Sequence, residues 1–429
     1  MNIFLFLHVV LNAERDGLFY AINNKLNKNN RLTMKKLLLI LLFLPIIGFG
    51  QSFERKFCTS LIGSSSSYAG GLSVQQTTDG GYIITGLLID LIKTDGSGIE
   101  QWSKTFGEQL NESGRSVAQT TDGGYIICGV KEGVGADGDI YIIKTDLLGD
   151  TIWTKTFGGS GDDIGWSVQQ TTDGGYIIAG WTTSFGSGIN GDSDSYLIKT
   201  DGNGDSLWTK TFGGTDWEMA FSVKQTTDGG YIICGAESES KTLIKTDANG
   251  VEQWSQFTGQ FYSVEQTTDG GFIMTGVSAG TDILLRKTDG SGIEQWINTF
   301  GGNGSVDVGF SVQQTTDGGY IIAGYAEDTL TGGGSDALLI KTDGNGVEQW
   351  SQTFGTTGWN GAFSVQQTTD GGYIITGKAD GLGRYSYEGC LYLIKTDSQG
   401  NITSIFNIPI NPNRKLEKTV DLLGKETKP

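Results

Sequence analysis

The sequence predicts an all-β fold: a seven-bladed β-propeller of four-stranded antiparallel blades, its ring closed by an N-terminal strand. Three observations predict it. One phrase recurs seven times, a second phrase follows each copy, and an orphan copy of the fourth strand precedes the first full repeat.

The recurring phrase reads SVQQTTDGGYIITG at 73–86 and returns with small changes from 116, 167, 222, 263, 311 and 364. Its aspartate falls at 79, 122, 173, 228, 269, 317 and 370, spacings of 43, 51, 55, 41, 48 and 53 residues. Repeats of this length, each holding several short strands, mark radial arrays. Strand a is the SVQQT segment, and Asp-Gly-Gly supplies the positive-φ positions of a tight hairpin. Strand b is the YIIAG type, whose adjacent isoleucines suit burial on both faces. Strand c is the YLIKT type. The Asp-x-x-Gly that follows, as in Asp201 to Gly204, fits a type I turn closed by a glycine bulge. Strand d is the SLWTKTF type. One such sheet cannot bury both faces alone, so the units must stack side by side.

The orphan strand is Phe53-Glu-Arg-Lys-Phe57, which matches Trp102-Ser-Lys-Thr-Phe106 and has no a, b or c strand before it. It is expected to complete the last blade and remove a free sheet edge. Asn401 to Asn407 competes for that place but lacks the Trp. The expected organisation is an upstream extension over 1–33, an export signal over 34–50, the propeller over 51–407 and a tail over 408–429. The signal rests on basic Met34-Lys35-Lys36, the apolar run Leu37 to Ile47, and Gly48 and Gly50 as a small-x-small cleavage site. An N-terminal membrane anchor is the alternative reading of that run.

The strand c to d pattern, with aromatic-x-Ile-Lys-Thr-Asp, a Gly turn and Trp, resembles the tryptophan-docking repeats of quinoprotein-type propellers and, distantly, kelch repeats. The TTDGGYII(A/T/C)G phrase is similar to the propeller repeats of secreted bacterial and archaeal proteins, especially those of Bacteroidota. The resemblance spans roughly residues 53–407. It implies the fold and no particular activity, and no quinone-binding residues carry over. The tail from Asn411 to Pro429 is similar to the opening of C-terminal sorting domains of the type IX secretion system. That resemblance implies the type IX machinery as a partner and delivery outside the cell or to the outer-membrane surface.

Composition excludes several functions. The chain of 429 residues carries a net charge of −18. Its first fifty residues hold six Lys and Arg against two acids, so the remainder stands at −22. Such a surface repels phosphate backbones, and nucleic acid is not an expected partner. The only histidine is His8, upstream of the signal. This excludes a Ser-His-Asp triad, a Cys-His pair and His-liganded zinc in the mature chain. No phosphate-binding glycine motif opens a helix, no cofactor or metal is expected, and a monomer is. Cys128 and Cys234 take the place of Ala179 and Thr85 at the end of strand b and are expected to be small buried residues. If residues 53–57 pair with the last strand c, Cys58 comes close to Cys390, and a disulfide there would staple the ring.

Chain direction puts the short a–b and c–d turns on one rim and the variable d–a and b–c loops on the other. Functions are grafted where repeats diverge. Six of ten tryptophans, Trp102, Trp153, Trp208, Trp254, Trp296 and Trp350, hold matched strand d places and read as packing residues. Trp166, Trp181, Trp217 and Trp359, with Tyr262 and Tyr385, are assigned to the variable rim as binding residues. Aromatic faces beside carboxylates suit sugar rings. The expected function is non-catalytic binding, adhesion or scaffolding, with a glycan or an extracellular protein as the ligand. The alternative is a polysaccharide-acting hydrolase or lyase using two rim carboxylates. However, Asp139, Asp194, Asp282 and Asp336 precede strand c by one offset, and a repeated residue reads as a loop cap.

Overall fold

The computed structural model describes residues 52–57, 70–86, 88–107, 112–132, 137–186, 192–237, 242–256, 259–278, 282–301, 306–328, 334–355, 358–381, 390–402, 419–420 and 426–427. Contacts divide the chain at Phe49/Gly50, and these residues all belong to the second unit. Cys58, Tyr385 and the proposed export signal lie outside them. Among the described residues, no helix is long and apolar enough to cross a membrane.

The architecture is all-β, built from four-stranded antiparallel sheets of consecutive strands. β1 is Phe53–Phe57. The first sheet holds β2 (Gly71–Gln76), β3 (Tyr82–Gly86), β4 (Asp90–Thr94) and β5 (Glu100–Thr105). The second holds β6 (Ser113–Gln119), β7 (Tyr125–Glu132), β8 (Gly138–Thr145) and β9 (Thr151–Phe157). The third holds β10 (Asp163–Gln170), β11 (Tyr176–Thr182), β12 (Asp194–Thr200) and β13 (Ser206–Phe212). The fourth holds β14 (Glu218–Gln225), β15 (Tyr231–Glu237), β16 (Leu243–Thr246) and β17 (Glu252–Gln256). The fifth holds β18 (Gln260–Gln266), β19 (Phe272–Val277), β20 (Ile283–Thr288) and β21 (Glu294–Phe300). Next come β22 (Val308–Gln314), β23 (Tyr320–Asp328), β24 (Gly334–Thr342) and β25 (Glu348–Phe354), then β26 (Trp359–Gln367), β27 (Tyr373–Gly381) and β28 (Cys390–Thr396). A single parallel pair, Ser335 with Trp359, joins these last two groups. β1 pairs antiparallel with β28 from Phe53 opposite Lys395 to Phe57 opposite Leu391, and so takes the fourth place beside it. Of the competing segment, Asn401 and Ile402 fall within the described residues.

Each letter of the repeat has a physical task. The serine Oγ accepts from the valine N–H of the next sheet's first strand, as Val168 N to Ser116 Oγ at 3.2 Å. The first glutamine accepts from the second glutamine of the next sheet, as Gln225 N to Gln169 Oε1 at 2.7 Å. The second glutamine accepts from a threonine of the preceding sheet, as Thr121 N to Gln170 Oε1 at 2.9 Å. All three bonds also join β26 to β2: Val74 N to Ser364, Gln76 N to Gln366 and Thr369 N to Gln76.

The hairpin aspartate is the hub of a second repeated device. Asp173 accepts from Thr171 Oγ1 at 2.5 Å and from Gly175 N at 3.0 Å, and pairs with Lys199 Nζ at 2.9 Å. Lys199 is 3% exposed and also donates to Thr200 O at 2.8 Å. A buried ammonium needs such a partner. The two hairpin glycines differ: Gly174 has φ +83°, whereas Gly175 is outside the positive-φ region. A Cβ on Gly175 would lie 2.1 Å from Thr200 O, so close backbone approach is what requires that second glycine.

Between sheets, the adjacent isoleucines of strand b pack with strands of the neighbouring sheet in one apolar cluster after another. On the outside, each strand d tryptophan lies against the tyrosine or phenylalanine of the next sheet. Trp153–Tyr176 has a centroid distance of 5.8 Å, and Trp153 also abuts Gly204. Phe53 of β1 repeats this on Tyr82 at 5.9 Å and against Gly98.

Two outcomes test these assignments. Burial pushes the hub carboxyls up, but the bonds from Thr, Lys and Gly outweigh it, and Asp122, Asp173 and Asp317 fall to about 2. That lies below the unfolded value of about 3.9. The pairs therefore stabilise the fold above about pH 4 and lose that contribution as pH falls toward 2. Asp173→Asn is expected to cost about 2 kcal/mol at pH 7 by urea denaturation, less than a fully buried pair because Asp173 is itself exposed. Its difference from wild type should shrink by pH 2. Phe53→Ala is expected to cost about 3–5 kcal/mol, the same as Trp208→Ala, by the same method.

Candidate functional site

Every first strand carries a bulge directly before the serine, and β26 carries a second one between Trp359 and Gly361. The register of β10 on β11 shifts between Gly165 and Ser167, which leaves Trp166 without an opposite residue. The bulge brings backbones close: a Cβ on Gly180 would sit 1.9 Å from Ile164 O, which accounts for the glycine ending each strand b phrase. The bulged residues are Leu72, Arg115, Trp166, Phe221, Tyr262, Phe310 and Phe363. With Met219 they line one cavity of about 350 Å³. The framework thus points one residue from each first strand at a common space, and the residue type there changes from strand to strand while the serine and valine after it repeat.

Five of the seven bulged residues are aromatic, and they touch in series. Trp166–Phe221 centroids lie 5.0 Å apart at 77°, Phe221–Tyr262 5.1 Å at 30°, Tyr262–Phe310 5.1 Å at 54° and Phe310–Phe363 5.2 Å at 67°. The Arg115 guanidinium carbon is 3.9 Å from the centroid of the Trp166 ring, a close cation–π contact. Arg115 is the one charged residue of the lining, which holds no carboxylate. The cavity offers aromatic faces and one cation.

The structure redistributes the residues expected on the variable rim. Trp166 and Tyr262 line the cavity. Trp217 precedes β14 and is 42% exposed, an open aromatic face beside the d–a connection. Trp181 is half-buried in β11, opposite Ile164 and Ser195. Trp359 is 5% exposed and packs with Val308, Tyr325 and Phe363, so it is a core residue and offers no face to a ligand. Tyr325, whose ring centroid lies 5.3 Å from that of Trp359, is fully buried. Cys390 is disulfide-bonded, and Cys128 and Cys234 are free and buried.

Sequence reasoning missed Leu72, Arg115, Met219, Phe221, Phe310 and Phe363. The available clue was the residue before SVQQ, which changes from copy to copy beside an otherwise constant phrase. It also missed Lys378, which occupies the place of Val130 and Ala236 after the strand b glycine. Lys378 is fully buried, its Nζ lies 5.7 Å from the Trp359 ring centroid, and burial lowers its ammonium to about 8.

The acidic residues collect at the sheet ends. Around Gly158, Asp139 Oδ1 and Asp163 Oδ2 both lie within 3.0 Å of where a Cβ would be. Burial and the neighbouring Asp163 raise the Asp139 carboxyl. Asp194 with Glu218 around Gly213, and Asp282 with Asp307 around Gly301, repeat the arrangement. Their oxygens accept from backbone amides, as Gly159 N to Asp163 Oδ2 at 2.9 Å and Gly214 N to Glu218 Oε2 at 3.2 Å. These pairs hold the d–a connections. Among the described residues, no group of three or more His, Cys, Asp or Glu is placed to hold a metal ion.

No protein-family model and no curated sequence matches the chain. In structure it is similar to the WD40 β-propeller domain of Doa1, at 14% identity over 80% of this chain and 96% of that one, with a TM-score of 0.52. It is also similar to the WD40 domain of Neurospora crassa Pan2, at 12% identity over 78% and 91%, with a TM-score of 0.52. BamB from Moraxella catarrhalis matches at 13% identity over 77% and 86%, with a TM-score of 0.45. At these identities the likeness shows the fold alone, and that fold is a β-propeller.

Trp359→Ala is expected to cost about 3–5 kcal/mol in chemical denaturation. Trp217→Ala, at an exposed place, should stay within about 0.5 kcal/mol of wild type.

Proposed function

We propose that the chain is a secreted, seven-bladed propeller, closed by β1, that binds a glycan in the cavity lined by the bulged residues and does not transform it. Seven strand groups, the recurrence of the inter-sheet bonds between β26 and β2, and Phe53 in the tryptophan place support the closed ring. The observation that carries the function is the convergence of five aromatic residues at one structurally equivalent place. Packing alone would let that place repeat like the rest of the phrase. Aromatic faces take up the apolar C–H faces of sugar rings, and 350 Å³ lies at the small end of ligand pockets, with room for one or two rings. Exposed Trp217 extends the same kind of surface toward the variable loops.

Export is supported by the Met34 to Gly50 pattern and by the disulfide at Cys390, which an oxidising compartment preserves. Phe57 stands opposite Leu391, beside Cys390, so Cys58 is the partner we assign; the bond would tie β1 to β28. The tail, read as a type IX sorting segment, would deliver the protein to the cell surface.

A hydrolase remains the second reading, favoured by the raised Asp139 carboxyl beside Asp163. The same pairing at Gly213 and Gly301, and its backbone bonds, favour a capping role.

A glycan array probed with the full chain and with a Trp166→Ala, Tyr262→Ala variant tests the proposal. Wild type should give discrete hits that weaken at least tenfold in a variant of unchanged circular dichroism. Equal signals from the two proteins would overturn it.

A further inference from the structure

The cavity carries a charge preference, and this inference rests on the glycan-binding reading above. The chain is strongly acidic, yet the one charged residue lining the cavity is a cation, Arg115. At the equivalent places stand Leu72 and five aromatics, so neither the bulge nor the fold requires an arginine. Its guanidinium stacks on Trp166 at 3.9 Å. Stacking uses the flat face of the group, whereas its five N–H donors lie in the plane and suit a carboxylate's two oxygens. Trp166 Nε1–H is itself buried, and among the described residues it meets no acceptor. The guanidinium is the charged donor lining the cavity. A neutral sugar would offer it uncharged hydroxyl acceptors, whereas a ring bearing a carboxylate would bring its negative charge to the guanidinium and its C–H face to Phe221 and Tyr262.

We infer that the cavity selects acidic sugars, with Arg115 as the residue that reads the carboxylate. A charge-assisted, bidentate contact in a cavity walled by aromatics is stronger than its exposed counterpart. The protein's overall negative field would repel anions elsewhere on the surface, which confines their binding to this place.

The test is calorimetric titration of the full chain with matched disaccharides ending in glucuronate, galacturonate or mannuronate, each beside its glucose, galactose or mannose counterpart. For at least one pair the acidic sugar should bind tenfold or more tightly than the neutral one. Arg115→Gln should bring the ratio of acidic to neutral affinity from tenfold or more down to about one, and Arg115→Lys should retain part of the preference. Equal affinities for acidic and neutral sugars in wild type, both lost in the Trp166→Ala, Tyr262→Ala variant, would overturn the charge preference and leave the binding site standing. A preference that survives Arg115→Gln would also overturn it. Binding of none of the six sugars would overturn the glycan reading, and the charge preference with it.

Discussion

The hydrogen bonds between neighbouring first strands fix where everything else in this molecule lies. The second and third strands of each sheet here are buried on both faces, so each sheet must be covered on both. Apolar packing alone would allow one sheet to slide over the next, since the faces are similar rows of isoleucine. The serine, glutamine and threonine bonds remove that freedom. They demand that valine and glutamine N–H groups of one sheet stand opposite particular side-chain oxygens of another, at 2.6–3.4 Å. Each bond is modest, about 1 kcal/mol net, but it is directional; the serine and threonine bonds recur at all seven steps, and the first-glutamine bond is missing where Ala118 and Lys224 take its place. Once the first strands are in this register, the bulges point at one another and the tryptophans of the outer strands meet the tyrosines of the following sheets.

The other repeated parts serve that register. The Asp–Lys hub tightens the a–b hairpin, so that the threonine donating to the next sheet's glutamine is held at the right height. The pair is asymmetric: the lysine is 3–4% exposed at Lys93, Lys144 and Lys199, while the aspartate side is open to water. Burial of the ammonium is offset by a charged partner and a backbone carbonyl. Cys128 and Cys234 fill small buried places at the end of strand b, and burial pushes both thiols up, which suits packing rather than reactivity.

Much of this could be read from the sequence because it is periodic. The four strands, their order, the turn glycines and the packing tryptophans of the outer strands all repeat, and repetition exposes the constraint. Phe53 was legible as a displaced fourth strand for the same reason. The cavity was not legible. A β-bulge adds one residue to a strand and turns it away from the alternation that sequence patterning relies on, so Trp166 and Tyr262 resembled loop aromatics. Phe221, Phe310 and Phe363 resembled strand packing. Trp359 failed in the opposite direction: its place ahead of the repeated phrase looked like a loop, yet β26 begins there and buries the ring against Tyr325. Lys378 was hidden because nothing local distinguishes a buried lysine from an exposed one. The candidate site thus lies one residue outside the most constant stretch of the chain, at a place defined by three-dimensional register alone.

Hydrogen exchange of the backbone amides in the first strands tests the central claim most directly. The junction between β26 and β2 carries the same three bonds as that between β10 and β14. Val74 and Gln76, bonded to Ser364 and Gln366, should therefore be protected as strongly as Val223 and Gln225, bonded to Ser167 and Gln169. Exchange at Val74 and Gln76 much faster than at Val223 and Gln225 would mean that the array opens at this junction, and it would contradict the register of β2 on β26 on which the cavity depends.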